Sequence, residues 1–286
     1  MQTNNKSKST VGQAARPSSD NVGVLLLHGL AGTPAELRFL ANRLSSEGFV
    51  VATPTLPGLA GNTDISGLST WQDWVIEARK AYDKMAATCD RVYVGGLSAG
   101  ALLALKLAAE KPQGLAGTML FAPTLRPNGW SIPWTFKLFY LVHARWLARM
   151  FQFEERMPFG IKDDRIRNLV LGALKNEHSS DIFRINGVKV LEMLRLSRSV
   201  VRDLPRIAQP SIIFHPRNDD QSDLDNSAEL QRKMAGRVEL CVLDDSYHVV
   251  TLDRQRSYVA ERTSSFIERD VADMAARVPF GEKARV

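Results

Sequence analysis

The residue of this 286-residue chain best suited to chemistry is a serine flanked by glycines. Ser98 lies in Gly96-Leu97-Ser98-Ala99-Gly100, after the apolar run 91–94 and before a helix-forming run that starts at Ala101. This order predicts a strand, a sharp turn and a helix, with glycines where strand and helix come close. Such a turn exposes the serine hydroxyl, and the Ala99 N–H at the helix start would form half of an oxyanion hole. A Gly-rich turn can also be purely structural or bind phosphate.

A nucleophilic serine needs a base and an orienting acid. Of the five histidines, His248 follows the last predicted strand on a loop and precedes the last predicted helix, which is the position of a base. Three carboxylates, Asp219, Asp220 and Asp223, follow the preceding predicted strand. Each of them could supply the acid. His28 ends the first predicted strand at a loop that we expect to leave room for substrate.

The elements that position these residues alternate between strand and helix from residue 23 to residue 123. This alternation predicts right-handed crossovers and a mainly parallel sheet. The sheet resumes after residue 205, with strands over 211–215 and 238–243 and a final helix from about Asp253. Residues 124–205 show helical patterns and no clear strand, so they predict a helical cap lying over the sheet.

Three motifs in this order resemble the α/β-hydrolase fold and, within it, the small carboxylesterases and monoacylglycerol lipases. They are Leu27-His28-Gly29-Leu30-Ala31-Gly32-Thr33, Gly96-Leu97-Ser98-Ala99-Gly100 and Ser246-Tyr247-His248-Val249-Val250-Thr251-Leu252-Asp253. The loop over residues 57–61 departs from these lipases, because it lacks the histidine common after the corresponding glycine. The resemblance covers residue 23 to about 265 apart from the insertion.

The resemblance implies roles for five positions. Ser98 would be the nucleophile, His248 the base and Asp219 the acid. The backbone N–H groups of Leu30 and Ala99 would form the oxyanion hole. Asp219 is preferred to Asp220 because it lies nine residues after Pro210, the usual spacing in such enzymes. The implied mechanism forms an acyl-enzyme that water then hydrolyses, without metal or cofactor.

Composition limits the compartment and the domain boundaries. The two cysteines, Cys89 and Cys241, have no metal-ligand spacing and predict a reducing, cytoplasmic environment. Residues 1–20 are polar and predict a disordered leader, because they lack the apolar core of a secretory signal. We therefore expect a hydrolase core over residues 21–123 and 206–276, interrupted by the cap over 124–205.

The cap contains the chain's basic excess, since its charge equals the net +6 of the whole protein. An aromatic stretch over 130–151 predicts one helix with a basic stripe of Lys137, Arg145 and Arg149. Such a helix can be a lid buried on its own domain, line an acyl pocket with Trp134 and Phe136, or rest on an anionic membrane. Nucleic-acid binding is not indicated, because no recognition motif accompanies the charge.

These observations favour a serine hydrolase for carboxylic esters of medium or long acyl chains. An acyl thioesterase, whose basic cap attracts an acyl carrier or coenzyme A, is a second hypothesis with the same catalytic residues. A third is a lipid-binding scaffold on a hydrolase fold, since fold does not imply function. The sequence does not indicate an oligomeric state.

Overall fold

The computed structural model describes residues 21–60, 69–154, 156–175 and 184–277. The predicted leader over residues 1–20 lies outside the described residues. The strands, in chain order, are β1 (Val22–Leu27), β2 (Val50–Ala52), β3 (Arg91–Leu97), β4 (Leu115–Phe121), β5 (Gln152–Glu154), β6 (Arg184–Asn186), β7 (Ser211–Pro216) and β8 (Val238–Leu243). The helices are α1 (Arg38–Ser46), α2 (Trp71–Ala86), α3 (Ala99–Ala109), α4 (Phe136–Phe139), α5 (Arg145–Ala148), α6 (Asp164–Lys175), α7 (Gly187–Asp203), α8 (Asp225–Lys233) and α9 (Arg256–Arg277).

Six strands form one sheet in the order β2-β1-β3-β4-β7-β8, and each neighbouring pair is parallel. Helices cover both faces, so the strands are buried on both sides and need no polar alternation. Leu25 of β1 packs in a cluster that includes residues of α2, α3 and α7, whereas Leu26 packs in a second cluster with residues of α1 and α9. The predicted α/β-hydrolase sheet flanked by helices is confirmed.

Parallel pairing brings the carboxyl ends of all six strands to one edge of the sheet. Ser98 directly follows β3, Asp219 follows β7 and His248 follows β8. Thr124 lies just beyond the end of β4, the strand between β3 and β7. The sheet therefore places a serine, a threonine, an aspartate and a histidine along this edge.

The chain between β4 and β7 differs from the sequence prediction in two respects. The single helix predicted over the aromatic stretch is wrong: the structure has only the one-turn helices α4 and α5, with Ala144 between them in an extended conformation. Strands β5 and β6, which were not predicted, pair antiparallel. The helical pattern that the sequence shows in residues 124–205 is present as α7.

An aromatic cluster explains why one long helix does not form. Phe153 of β5 packs against Phe136 and Phe139 of α4, with ring centroids 5.2 and 4.9 Å apart, and Phe151 lies 5.3 Å from Phe139. The chain must turn back between α4 and β5 to bring these rings together. The basic stripe is lost as well, because Arg145 turns inward and pairs with the buried Glu192 of α7 at 3.2 Å.

Within the described residues, no helix is both long and apolar enough to cross a membrane.

Candidate active site

Ser98 occupies the turn between β3 and α3 with φ 54° and ψ −114°, a conformation that residues with side chains rarely adopt. Its N–H donates to the carbonyl oxygen of Phe121 at 2.9 Å, which fixes the turn to the end of β4. Strain of this kind is typical of a nucleophile elbow. The predicted strand, turn and helix around Ser98 are confirmed.

The two glycines beside Ser98 are required by backbone contacts. A Cβ on Gly96 would lie 2.2 Å from the carbonyl carbon of Gly100. A Cβ on Gly100 would lie 2.2 Å from the carbonyl oxygen of Leu27, the last residue of β1. Neither distance can be accommodated without moving backbone, so β1, β3 and α3 meet at van der Waals contact beneath Ser98.

His248 and Asp219 form a buried pair. The Nδ1 atom of His248 lies 3.0 Å from Oδ1 and 2.9 Å from Oδ2 of Asp219. Both residues are almost completely buried. A carboxylate at Nδ1 fixes the tautomer with the proton on Nδ1, which makes Nε2 the basic nitrogen.

The loop around Asp219 stabilises its ionised form. Oδ1 accepts hydrogen bonds from the backbone N–H groups of Gln221 and Ser222, at 2.8 and 2.9 Å. Burial by itself would raise the pKa of Asp219, but the charge and hydrogen bond of His248, followed by His215 and the Ser222 N–H, lower the pKa below its usual value. Asp219 is therefore an anion beside His248 at neutral pH.

Asp220 has different contacts from Asp219. Its Oδ1 accepts from the backbone N–H of His248 at 3.2 Å, and its Oδ2 accepts from the backbone N–H of Gly160, in the insertion, at 3.0 Å. Burial raises the pKa of Asp220 above its usual value, although the neighbouring His248 acts in the opposite direction. Asp220 thus contacts the backbone of the histidine loop, whereas Asp219 contacts the imidazole ring.

A second buried carboxylate fixes the insertion to the histidine loop. The two oxygens of Asp253 accept from the backbone N–H groups of Lys162, Asp163 and Tyr247 at 2.6–2.9 Å. Gly160 also accepts a hydrogen bond from the N–H of Val249 at 2.7 Å. Residues 160–163 of the insertion are therefore attached to the loop that carries His248. Sequence reasoning missed these contacts, because their partners are backbone groups with no residue signature.

The two predicted oxyanion-hole positions are close to Ser98 in the chain or in space. Ala99 is the first residue of α3, whose N-terminal N–H groups and dipole favour negative charge. Leu30 belongs to the turn after β1. A Cβ on the neighbouring Gly29 would lie only 3.7 Å from the Cβ of Ser98, so this turn is adjacent to the serine. Both assignments stay predictions.

His28, expected to contact substrate, is instead completely buried and bonded to backbone. Its Nδ1 lies 2.9 Å from the carbonyl oxygen of Gly29, and its Nε2 accepts from the N–H of Leu56 at 3.1 Å. One neutral tautomer satisfies both contacts. Burial lowers the pKa of His28, which favours this neutral form. The side chain therefore holds the loops after β1 and β2 together, and the expected substrate contact is replaced by this structural role.

The two cap residues expected to line an acyl pocket have different environments. Phe136 is buried in the aromatic cluster, with Tyr140 5.7 Å away as a further neighbour. The side chain of Trp134 is 75% exposed. The ring contacts of Phe136 are with Phe139, Tyr140 and Phe153. A pocket role for them stays a prediction.

Sequence reasoning also missed two hydroxyl groups that lie between Ser98 and Asp219. The Oγ of Ser98 lies 3.1 Å from Oγ1 of Thr124, which lies 3.2 Å from Oγ of Ser222. The Ser222 hydroxyl lies 3.5 Å from Oδ2 of Asp219. The signal available was the position of Thr124 directly after a buried strand, at the edge where a parallel sheet presents functional side chains.

The sequence of this chain matches known proteins over most of its length. Residues 20–255 match the family described as serine aminopeptidase, S33. A thermostable monoacylglycerol lipase of Bacillus sp. (strain H-257) is 26% identical over 251 residues, which are 87% of this chain and 91% of that protein. A carboxylesterase of Bacillus subtilis (strain 168) is 22% identical over 248 residues, which are 86% of this chain and 92% of that protein.

Solved structures share the same fold. One comes from work on LipS and LipT, two metagenome-derived lipolytic enzymes; its TM-score is 0.72 with 26% identity, over 87% of this chain and 94% of that one. A soluble variant of monoglyceride lipase from Saccharomyces cerevisiae, in complex with a substrate analogue, gives a TM-score of 0.69 with 16% identity. This second alignment covers 88% of each chain.

Proposed function

Because this chain belongs to the serine aminopeptidase S33 family of α/β-hydrolases and is a carboxylic ester hydrolase, we propose that it cleaves esters of medium or long acyl chains. Ser98 is the nucleophile, His248 the base and Asp219 the acid. One observation carries the proposal. The strained Ser98 lies at the same edge of the sheet as His248, whose Nδ1 contacts Asp219. The lipase and esterase relatives support the substrate class. The non-catalytic scaffold hypothesis is set aside.

In the proposed mechanism, the Oγ of Ser98 attacks the ester carbonyl carbon while its proton passes to Nε2 of His248. The carbonyl π electrons move to the oxygen, where the N–H groups of Leu30 and Ala99 stabilise the negative charge. His248 then protonates the leaving alcohol. A water molecule, deprotonated by His248, releases the acid from the acyl-enzyme. Asp219 holds the imidazole and stabilises its positive charge.

The preference for long acyl chains rests on the exposed apolar side chains of the cap. Within residues 130–151, five large apolar residues are between 60% and 76% exposed: Trp134, Leu138, Leu141, Trp146 and Met150. Exposed apolar surface on this scale indicates a contact with another apolar phase. We propose that this surface rests on an anionic lipid layer, to which the exposed Lys137 and the basic charge of the cap contribute. We also propose that the protein is cytoplasmic, from the two cysteines of its sequence.

The test is the hydrolysis of p-nitrophenyl esters with two to sixteen carbons by the wild-type protein and by Ser98→Ala, with acyl-CoA thioesters in parallel. We expect ester turnover that rises with chain length and is lost in Ser98→Ala. Faster turnover of the thioesters would replace ester hydrolysis with the thioesterase function. Equal activity of the wild type and Ser98→Ala would refute the assignment of the nucleophile. Activity restricted to two-carbon esters would refute the acyl-chain preference.

A further inference from the structure

A line of buried hydroxyl groups connects Ser98 to Asp219 without passing through His248. It runs from Ser98 to Thr124 at 3.1 Å, from Thr124 to Ser222 at 3.2 Å, and from Ser222 to Asp219 at 3.5 Å. Thr124 is 3% exposed and Ser222 is completely buried. Thr124 is therefore a polar neighbour of the nucleophile. It lies at the end of β4, the strand between β3 and β7.

Thr124 has one hydroxyl proton and three oxygens around it. Besides the hydroxyls of Ser98 and Ser222, its Oγ1 lies 3.2 Å from the carbonyl oxygen of Ala122. The carbonyl can only accept, whereas the other two can donate or accept. Either Thr124 accepts from Ser98 and donates to Ala122 or to Ser222, or it turns its proton to Ser98 and accepts from Ser222.

Only the second arrangement suits attack by the serine. When Ser98 gives its proton to His248, its oxygen gains negative charge and needs a hydrogen-bond donor. The Thr124 hydroxyl is at the distance at which it can supply that donor, and hydrogen bonds strengthen when one partner is charged. Ser222 then donates to Thr124 instead of to Asp219, whose carboxylate keeps its contacts with His248 and with the backbone N–H groups of Gln221 and Ser222.

Resting on the proposed function, we propose that Thr124 is a further catalytic residue, which donates a hydrogen bond to Oγ of Ser98 during attack. Ser222 is a positioning residue that acts through Thr124. Thr124 keeps its own proton throughout. The Ser98 proton goes to His248, the bond from Oγ to the acyl carbon forms, and the carbonyl π bond breaks.

The chain offers a matched control on β4, the strand that Thr124 follows. Thr118 of β4 is also completely buried, and its hydroxyl donates to that of Ser211 on β7 at 2.8 Å. This pair has the same residue types as Thr124 and Ser222, but Thr118 pairs with the first residue of β7, at the amino end of the strand. Thr118→Val therefore removes a buried hydroxyl without touching the nucleophile.

The experiment measures kcat, KM and the rate of Ser98 labelling by a fluorophosphonate in Thr124→Val, Thr124→Ser, Ser222→Ala and Thr118→Val. For Thr124→Val we expect roughly a tenfold fall in kcat and in labelling rate, as for one lost hydrogen bond to a charged group, with KM nearly unchanged. Thr124→Ser should restore most of both rates. Thr118→Val should lower the melting temperature but leave both rates near those of the wild type.

Rates of Thr124→Val within about twofold of the wild type, or rates of Thr124→Ser as low as those of Thr124→Val, would overturn the inference. If Thr124→Val does not fold, Ser222→Ala provides the test. A severalfold fall in its labelling rate would support the inference that Thr124 donates to Ser98, and an unchanged rate would refute it. Labelling does not depend on the natural substrate. Labelling that depends on Thr124 without any ester turnover would therefore refute the ester proposal and leave this inference standing.

Discussion

The two neighbouring aspartates provide the sharpest comparison. Oδ1 of Asp219 accepts from two backbone N–H groups, so in Asp219→Asn the amide oxygen will take this position and the NH₂ group will face Nδ1 of His248. Because the NH₂ group then stands at the position of Oδ2, 2.9 Å from Nδ1, we expect it to donate to that nitrogen, which moves the ring proton to Nε2 and removes the base. The corresponding Asp→Asn change in a serine protease lowers kcat by about 10⁴-fold. We expect a loss of about this size in Asp219→Asn.

Asp220→Asn should have a much smaller effect. Its carboxylate accepts from the backbone N–H groups of His248 and Gly160, and an amide can still accept one of these. One unsatisfied N–H costs about 1–3 kcal/mol. Part of this cost is offset, because the raised pKa of Asp220 indicates that its charge is unfavourable in the folded state. With this offset we take about 2 kcal/mol, the middle of the range, which corresponds to about thirtyfold at tenfold per 1.4 kcal/mol, so we expect activity within about thirtyfold of the wild type.

The assay is kcat/KM on the best p-nitrophenyl ester for the wild type and both variants, with circular dichroism and the melting temperature as folding controls. Asp219→Asn should retain the fold and lose at least about a hundred times more activity than Asp220→Asn, given the two magnitudes above. If a folded Asp220→Asn protein is as inactive as Asp219→Asn or more so, the assignment of the acid from ring contacts is wrong.

Three further predictions concern stability and the surface. Gly100→Ala should lower the free energy of unfolding in urea titrations by several kcal/mol, because the new Cβ would lie 2.2 Å from a carbonyl oxygen. The control Gly172→Ala in α6, where no atom lies within 4 Å of the new Cβ, should raise it by about 0.5–1 kcal/mol. Equal effects of the two substitutions would contradict the packing argument. Stability should fall as the pH drops below 6.5, the ordinary pKa of histidine, because the buried His28 has a lowered pKa and the unfolded chain binds the proton first. His28→Gln should reduce this dependence of stability on pH. An unchanged dependence would assign it to other groups. In a vesicle sedimentation assay, the double variant Trp134→Ser, Leu141→Ser should bind anionic vesicles at least about fivefold more weakly than the wild type, since it removes two exposed apolar contacts. Its hydrolysis of a two-carbon ester should be unchanged. Undiminished binding would refute the lipid-facing surface.

The sequence predicted the sheet and the elbow because both depend on local patterns. Short apolar runs define strands buried on both faces, and the glycines around Ser98 mark the close approach that the structure shows at Gly96 and Gly100. The order of motifs was enough to place Asp219 and His248 on the loops that follow the last two strands, β7 and β8, which are neighbours in the sheet. Local pattern and global fold agree at these positions.

The insertion was harder to predict because its structure depends on contacts distant in sequence. The helical spacing of Phe136 and Phe139 was correct over one turn, but their packing on Phe153 bends the chain back. Arg145 looked like part of a surface stripe until its partner on α7 was known. His28 looked like a substrate contact because a histidine beside a turn carries no sequence signal of what its ring nitrogens bind.

The attachment of residues 160–163 to the histidine loop limits how this protein can be re-engineered. A chimera that exchanges the whole segment between β4 and β7 would delete the N–H groups that Asp220 and Asp253 accept from, leaving two buried carboxylates without those donors beside the base. Grafts that keep this short stretch and replace only the aromatic part preceding it preserve those contacts. Residues 160–163 and the loop of His248 therefore form one bonded unit, and a change in the path of either backbone requires a matching change in the other.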